Sequence, residues 1–254
     1  MQKQFDLTGK VAVVTGGNGG LGLGIAMGLA GAGANIVVAA RSVEKTAQAL
    51  EDIRALGVEA HGITVDVTLE PAVQRMVTST IDHMGRLDIL VNNSGIAVRA
   101  MPQDLTAAQW DAVVDVNLRA TFLASREAYP HMVKAGGGKI INVGSMYSLF
   151  GSDWGAPYAA SKGGVVQLTK SLAVAWAKDN IQVNSILPGW FVTDLTRGIP
   201  EGDPERHDNI SRRIPTGRWG EASELGGAAV FLASQASNYV TGSVLAVDGG
   251  YSAT

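Results

Sequence analysis

The sequence predicts an α/β protein: a doubly wound sheet of about seven parallel strands with helices on both faces. Two observations carry this. Short, almost continuously apolar runs alternate with longer amphipathic stretches along the whole chain. Gly, Asn or Asp bounds most of the short runs, as buried parallel strands joined by right-handed crossovers require. The strand candidates are 11–15, 36–39, 60–65, 87–92, 139–143, 182–186 and 244–247. Helical periodicity covers 21–32, 43–56, 71–84, 107–131, 158–179 and 222–233. No linker or internal repeat interrupts the rhythm, so residues 1–254 read as a single domain. The exception is 194–215, where Gly198, Pro200, Gly202, Pro204 and Pro215 sit among many charges. A long irregular insert of this kind reads as a substrate lid, with a plain surface loop as the alternative.

Composition excludes several functions. Twenty basic residues against 23 acidic ones give a net charge of −3, no footprint for nucleic acid or an anionic membrane. There is no cysteine, hence no disulfide, thiolate metal site or cysteine nucleophile. No metal site is expected. No apolar run approaches the roughly 20 residues of a membrane span. Residues 1–5 (M-Q-K-Q-F) lack a signal-peptide core, so the expected location is the cytoplasm.

The first strand candidate ends in T-G-G-N-G-G-L-G, Thr15 to Gly22. Gly16, Gly20 and Gly22 permit a tight turn and a close approach of backbone to a pyrophosphate, which the positive end of the following helix favours. Gly17-Asn18-Gly19-Gly20-Leu21-Gly22 also satisfies G-x-G-x-x-G, a weak signal alone but stronger between a strand and a helix. A nicotinamide dinucleotide is the expected ligand, on a Rossmann-type sheet. At the end of the second strand an acid would accept from the ribose 2′-hydroxyl of NAD; here Ala40 and Arg41 occupy that place. Arg41, helped by the hydroxyl of Ser42, suits a 2′-phosphate, so NADP is preferred with NAD possible. The alternative readings of Arg41 are a solvated helix-start residue and an adenine-stacking one. Asp66, followed by Val67, ends the third strand and either meets the adenine amino group or caps the helix that begins near Pro71.

Tyr158 and Lys162 lie four residues apart in Y-A-A-S-K, and Ser145 precedes the tyrosine by thirteen. Four residues place the lysine on the same helix face, where its ammonium would favour the phenolate. Tyr158 could then exchange a proton with a substrate oxygen polarised by Ser145. Asn117, polar and mid-helix, could kink its helix and hold a water for a proton relay, or simply be exposed.

These motifs resemble the short-chain dehydrogenase/reductase family, over essentially the whole chain. T-G-x-x-x-G-x-G is present, and the family's N-N-A-G occurs as Asn92-Asn93-Ser94-Gly95, with serine replacing alanine. The resemblance implies a tetrad of Asn117, Ser145, Tyr158 and Lys162. It implies cofactor contacts from Gly16, Asn18, Gly20, Leu21, Gly22, Arg41, Ser42, Asp66, Val67, Asn93, Gly95, Tyr158, Lys162, Pro188, Gly189 and Thr193. Within that set, Thr193 would bind the nicotinamide carboxamide and Lys162 the nicotinamide ribose, while Asn92 supports the nearby sheet. It also implies a homotetramer through 107–131, 158–179 and 239–250. G-K-I-I-N-V-G-S-M, R-W-G-E-A and A-S-N-Y-V-T-G look like segments of the gluconate 5-dehydrogenase and ketodeoxygluconate dehydrogenase group.

The expected reaction is reversible hydride transfer between NADP and a secondary alcohol or ketone, such as a sugar acid or polyol. Arg99, just past the fourth strand, is a candidate for a substrate carboxylate or a plain surface arginine. Met146, Trp154, Trp190 and Phe191 would wall the site, which suits a bulky ketone equally, or they are core packing, Met146 above all. A 3-oxoacyl thioester reductase is the alternative chemistry; it needs a basic patch for an acidic carrier protein, for which Arg126, Lys134, Arg212 and Arg213 are candidates. A nucleotide-sensing protein without turnover fits a complete tetrad poorly.

Overall fold

A computed structural model describes residues 3–193 and 196–254, with backbone alone at 200 and 201. Asp194 and Leu195, the start of the expected lid, lie outside the described residues. The strands are β1 (Val11–Thr15), β2 (Asn35–Ala40), β3 (Ala60–Thr64), β4 (Ile89–Asn92), β5 (Gly138–Val143), β6 (Ile181–Pro188) and, in the same sheet, Val244–Val247. All pair in parallel, in the order β3-β2-β1-β4-β5-β6 followed by Val244–Val247. Order reverses between β1 and β4, and ligands in such sheets gather at that crevice.

Every residue of β1, β4 and β6 is buried, whereas β3 and Val244–Val247, at the two edges, are only partly so. Alternation along β1 divides the core in two. Ala12 and Val14 join Ile25, Leu29, Leu225 and Ala229 on one face, and Val11 and Val13 join Val73, Met76, Leu123 and Ala128 on the other. A third apolar cluster, Met146, Leu187, Ile210, Ile214, Trp219 and Tyr251, lies away from both.

The helices are α1 (Gly20–Gly31), α2 (Val43–Arg54), α3 (Glu70–Met84), α4 (Ala107–Val114), α5 (Ala120–Lys134), α6 (Ala156–Trp176), α7 (Ile199–Gly202), α8 (Pro204–Arg212) and α9 (Glu224–Ala233). α1 packs on α9 with backbone nearly touching backbone. A Cβ on Gly24 would come within 2.1 Å of the Ala222 carbonyl oxygen, and one on Gly28 within 2.4 Å of the Gly226 Cα. Gly24→Ala should therefore lower stability by on the order of 1–3 kcal/mol, because rigid backbone has to move. Urea unfolding of the variant checks this; an unchanged midpoint would show that the two helices can separate freely.

Two elements differ from the sequence expectation. The insert is not irregular: it forms α7 and α8, and a short parallel pair, β7 (Phe191–Val192) with β8 (Gly220–Glu221), frames it; Val244–Val247 thus becomes β9. Asp203 caps α8 by accepting from the Arg206 amide at 3.2 Å, and Pro204 occupies the first turn, where its missing N–H costs nothing. The expected helix 107–131 is also broken, by a π-helical turn over Asp115–Arg119, and it runs on to Lys134.

Candidate active site

Two cavities open at the carboxyl ends of the central strands and meet at Tyr158. The larger, about 490 Å³, runs along the glycine loop and the ends of β2 and β3. The smaller, about 230 Å³, lies between the segment after β5 and the insert. Leu21, Gly144, Tyr158 and Thr193 line both.

The glycine loop shapes the larger cavity. Gly16 and Gly20 have φ of +65° and +50°, the left-handed region that side chains avoid. A Cβ on Gly22 would lie 2.2 Å from the Gly16 carbonyl oxygen and 2.4 Å from Asn93 Nδ2, so the loop closes only on glycine. Asn93 Nδ2 donates to the Thr15 and Gly16 carbonyls at 3.0 and 3.3 Å. Asn18 Nδ2 donates to the Ser42 carbonyl and to Thr46 Oγ1, tying the loop to the start of α2. The residue before α1 is Gly19, which brings no capping side chain, and it lines the cavity with Gly20. Amides at an uncapped helix start favour an anion.

Arg41, Ser42 and Lys45 line the far end. Ser42 Oγ accepts from the Lys45 amide at 3.3 Å, capping α2. Asp66 is the one carboxylate among the described lining residues. It accepts from the amide and hydroxyl of Thr68, and these bonds, amide first, hold it below the usual carboxylate range. The alternative that Asp66 caps the next helix is not realised, since Leu69 precedes α3 there.

Tyr158 and Lys162 occupy successive turns of α6, and Ser145 follows β5. Burial pushes the Tyr158 phenol above its ordinary range; the Ser145 hydroxyl acts in the opposite sense. Burial also lowers Lys162 to about 8. Lys162 Nζ donates to the Val143 carbonyl at 2.7 Å and lies 5.8 Å from the Tyr158 ring centroid. The expected lowering of the phenol is therefore absent from the protein alone: desolvation outweighs the Ser145 hydrogen bond.

Asn117 is buried in the π-helical turn and lines neither cavity. Its Oδ1 accepts from the Ile96 amide at 2.8 Å, and its Nδ2 donates to the Ile96 carbonyl and to Ser161 Oγ, both at 3.0 Å. A Cβ on Gly95 would sit 3.4 Å from Asn117 Oδ1 and 3.5 Å from Lys162 Nζ, so the three come together. Below them, Asn92 Nδ2 donates to Asn142 Oδ1 and Ser125 Oγ in a buried network.

Of the expected cofactor residues, Gly16, Asn18, Gly20, Leu21, Arg41, Ser42, Asp66, Val67, Asn93, Gly95, Tyr158, Lys162 and Thr193 line the larger cavity. Gly22 stands behind its wall, and Pro188 and Gly189 face the smaller cavity. Arg99, Ser145, Met146, Trp154, Trp190 and Phe191 also line the smaller cavity. Met146 is both wall and core. Sequence reasoning missed Lys45, Ser94 and Ile96 in the larger cavity and Tyr147 and Arg206 in the smaller. Tyr147 was within reach of the argument, two residues past Ser145. The basic residues weighed for a carrier-protein patch line neither cavity. Arg126 pairs with Glu70 and Glu127 along α3 and α5, and Arg213 lies 4.3 Å over the Tyr251 ring.

A family model described as enoyl-(acyl carrier protein) reductase matches residues 16–252. The 2-dehydro-3-deoxy-D-gluconate 5-dehydrogenase of Bacillus subtilis is 43% identical, covering 97% of this chain and 96% of its own. The chain belongs to the short-chain dehydrogenase/reductase family. The gluconate 5-dehydrogenase of Gluconobacter oxydans is 40% identical, over 97% of this chain and 96% of its own. A crystal structure of a gluconate 5-dehydrogenase from Burkholderia cenocepacia, in complex with NADP and tartrate, superposes with a TM-score of 0.94. It is 41% identical and covers 99% of this chain and 98% of that one. This short-chain dehydrogenase/reductase is an NAD(P)-dependent oxidoreductase acting on CH–OH groups.

Proposed function

We propose that the enzyme interconverts a secondary alcohol and a ketone on a sugar acid, with NADP as its preferred cofactor. The observation that carries this is the meeting of the two cavities at Tyr158, with Arg99 in the smaller one. The larger cavity suits a dinucleotide: a glycine cradle that a Cβ would fill, an uncapped helix start, and Arg41 with Ser42 where a ribose-binding acid would stand. Bound there, the nicotinamide cofactor supplies or accepts the hydride.

The chain's own residues do the rest. Ser145 hydrogen-bonds the substrate oxygen and polarises it. Tyr158 gives its proton to that oxygen in reduction and takes one in oxidation. Lys162, 5.8 Å from the Tyr158 ring centroid, supports charge on the phenol, and Asn117, bonded to Ile96 and beside Gly95 and Lys162, is the residue to which a proton relay from Lys162 would lead. Arg99 pairs with the substrate carboxylate. No acidic side chain lines this cavity among the described residues, so nothing there repels an anion. Thr196, Ile199 and Arg206 also line it, which supports reading 194–215 as a lid within one catalytic unit spanning 1–254.

A second reading, reduction of a bulky ketone, is favoured by the wall of Tyr147, Trp154 and Trp190. Steady-state assay of sugar acids, polyols and bulky ketones with both cofactors separates the two. Sugar acids should give the highest kcat/KM; turnover confined to uncharged ketones would overturn the sugar-acid reading. Arg41→Ala should weaken NADP binding by about 1.5–3 kcal/mol, the worth of a hydrogen bond to a charged group, and NAD binding much less. Calorimetric titration with each nucleotide measures this, and equal losses would mean Arg41 does not read the phosphate.

The same reading extends to assembly and location. Among the described residues no helix is long and apolar enough to cross a membrane. We place the enzyme in the cytoplasm as a homotetramer. Exposed Trp110 and Phe122 on α4 and α5, Val174 on α6 and Tyr239 before β9 support the expected interfaces. Sedimentation measurements decide the assembly.

A further inference from the structure

We propose that Arg206, on α8, is a second carboxylate-binding cation of the smaller cavity, so that an acidic substrate is held between α8 and the Arg99 loop. This rests on the sugar-acid reading above. Arg99 and Arg206 both press on one indole: their guanidinium carbons lie 4.3 and 4.7 Å from the Trp154 ring centroid. Arg206 also lies 5.6 Å from Trp190. Two like charges on one tryptophan, in a cavity with no acidic lining residue, make an arrangement that calls for an anion.

The donors bear this out. Nη1 of Arg206 is buried without a hydrogen-bond partner, as is Nε1 of Trp190 in the same wall. Other arginines are matched: Arg86 to Asp88, Arg126 to Glu70, Arg218 to Glu224. Among the described residues no carboxylate pairs with Arg99 or Arg206. A guanidinium stacked on an aromatic ring spends its face on the ring. Arg206 gives part of its edge to the Tyr147 hydroxyl, but Nη1 stays free for a carboxylate, which two such groups can grip from both sides. Buried donors left unpaired are costly, and a bound carboxylate removes that cost.

The position of Arg206 gives this cation a consequence that Arg99 lacks. Its amide is the one Asp203 caps, so the side chain leaves the first turn of α8. Ile210 and Trp219 tie the far end of α8 to the third apolar cluster, and Trp219 Nε1 donates to Ser211 Oγ at 3.0 Å. A carboxylate on Arg206 would therefore fix the near end of a helix whose far end is already anchored, and acidic substrates would hold the insert over the site.

The test compares wild type, Arg206→Gln and Arg206→Lys, each saturated with NADP. Tartrate, a small hydroxy diacid, is titrated calorimetrically with threitol as the uncharged control, and thermal unfolding verifies each fold. Wild type should bind tartrate and not threitol. Arg206→Gln should weaken tartrate roughly 10- to 100-fold, as for one charged hydrogen bond, and Arg206→Lys should recover much of it. In turnover, kcat/KM of Arg206→Gln should fall much further for an acidic substrate than for an uncharged one, chiefly through KM. Unchanged tartrate affinity in a folded Arg206→Gln overturns the proposal, as does a wild type that binds tartrate and threitol alike. If wild type binds tartrate through Arg206 but turns over no sugar acid, the sugar-acid reading fails and the anion site stands.

Discussion

Tyr158→Phe should lower kcat by roughly 10²- to 10⁴-fold, the usual worth of a positioned general acid–base, while nucleotide affinity changes little. The expectation follows from where the phenol sits. Tyr158 lines both cavities, so it is placed to touch the substrate oxygen from the floor of the nucleotide cleft. The glycine loop, Arg41 and Asp66, which shape the rest of that cleft, do not depend on its hydroxyl. The fold should not suffer either. Burial holds the phenol in its neutral form, and Ser145, the partner of its hydroxyl, keeps its bond from the Tyr147 amide when that hydroxyl is removed, so little is left unsatisfied. Stopped-flow hydride transfer, fluorescence titration with NADPH and thermal unfolding together read all three. Equal collapse of turnover and nucleotide binding would make Tyr158 a structural residue, and the assignment of the proton donor would be lost.

The fold was legible because its central strands are apolar on both faces. Buried runs such as V-A-V-V-T need no alternation to be read, and their Gly and Asn borders mark the ends. What escaped was set by distant partners. β7 and β8 have two residues each and exist only because Phe191 pairs with Gly220. The π-helical turn is fixed by Asn117 bonding to Ile96 across the chain, and no periodicity in α4 or α5 announces it. The insert misled through its composition: prolines and glycines suggest irregular chain, yet Asp203-Pro204 is a helix start. In the site, spacing put Tyr158 and Lys162 on one face but could not reveal that the ammonium turns toward Val143. Arg206 was hidden for the same reason, since its neighbours Trp154 and Trp190 belong to other segments.

Lys162→Met should cut turnover by at least about 10²-fold and yet make the protein more stable at neutral pH. The two outcomes share one cause. Lys162 is buried and donates to a neutral carbonyl, and desolvation brings it from 10.5 to about 8. Below pH 8 it is charged in both folded and unfolded chains, and the folded state bears the whole penalty. Between about 8 and 10.5 the unfolded chain holds a proton that the folded one has lost, so stability rises with pH across this window. At about 1.4 kcal/mol per tenfold change in proton affinity the penalty is roughly 3 kcal/mol. Methionine fills a similar volume without the charge, and losing the charged hydrogen bond to Val143 costs about 1.5–3 kcal/mol, which leaves a net gain of at most about 1.5 kcal/mol at pH 7. Lys139, also lowered to about 8 by burial, adds the same slope to wild type and variant alike. Their difference therefore isolates Lys162: urea unfolding should show the variant's advantage at pH 7 shrinking steadily toward pH 10. A variant that is less stable at pH 7 would mean the ammonium is held by more than one carbonyl; the site would then owe its lysine to folding, not to chemistry. An inactive but more stable variant identifies Lys162 as a charge the fold tolerates for the sake of Tyr158.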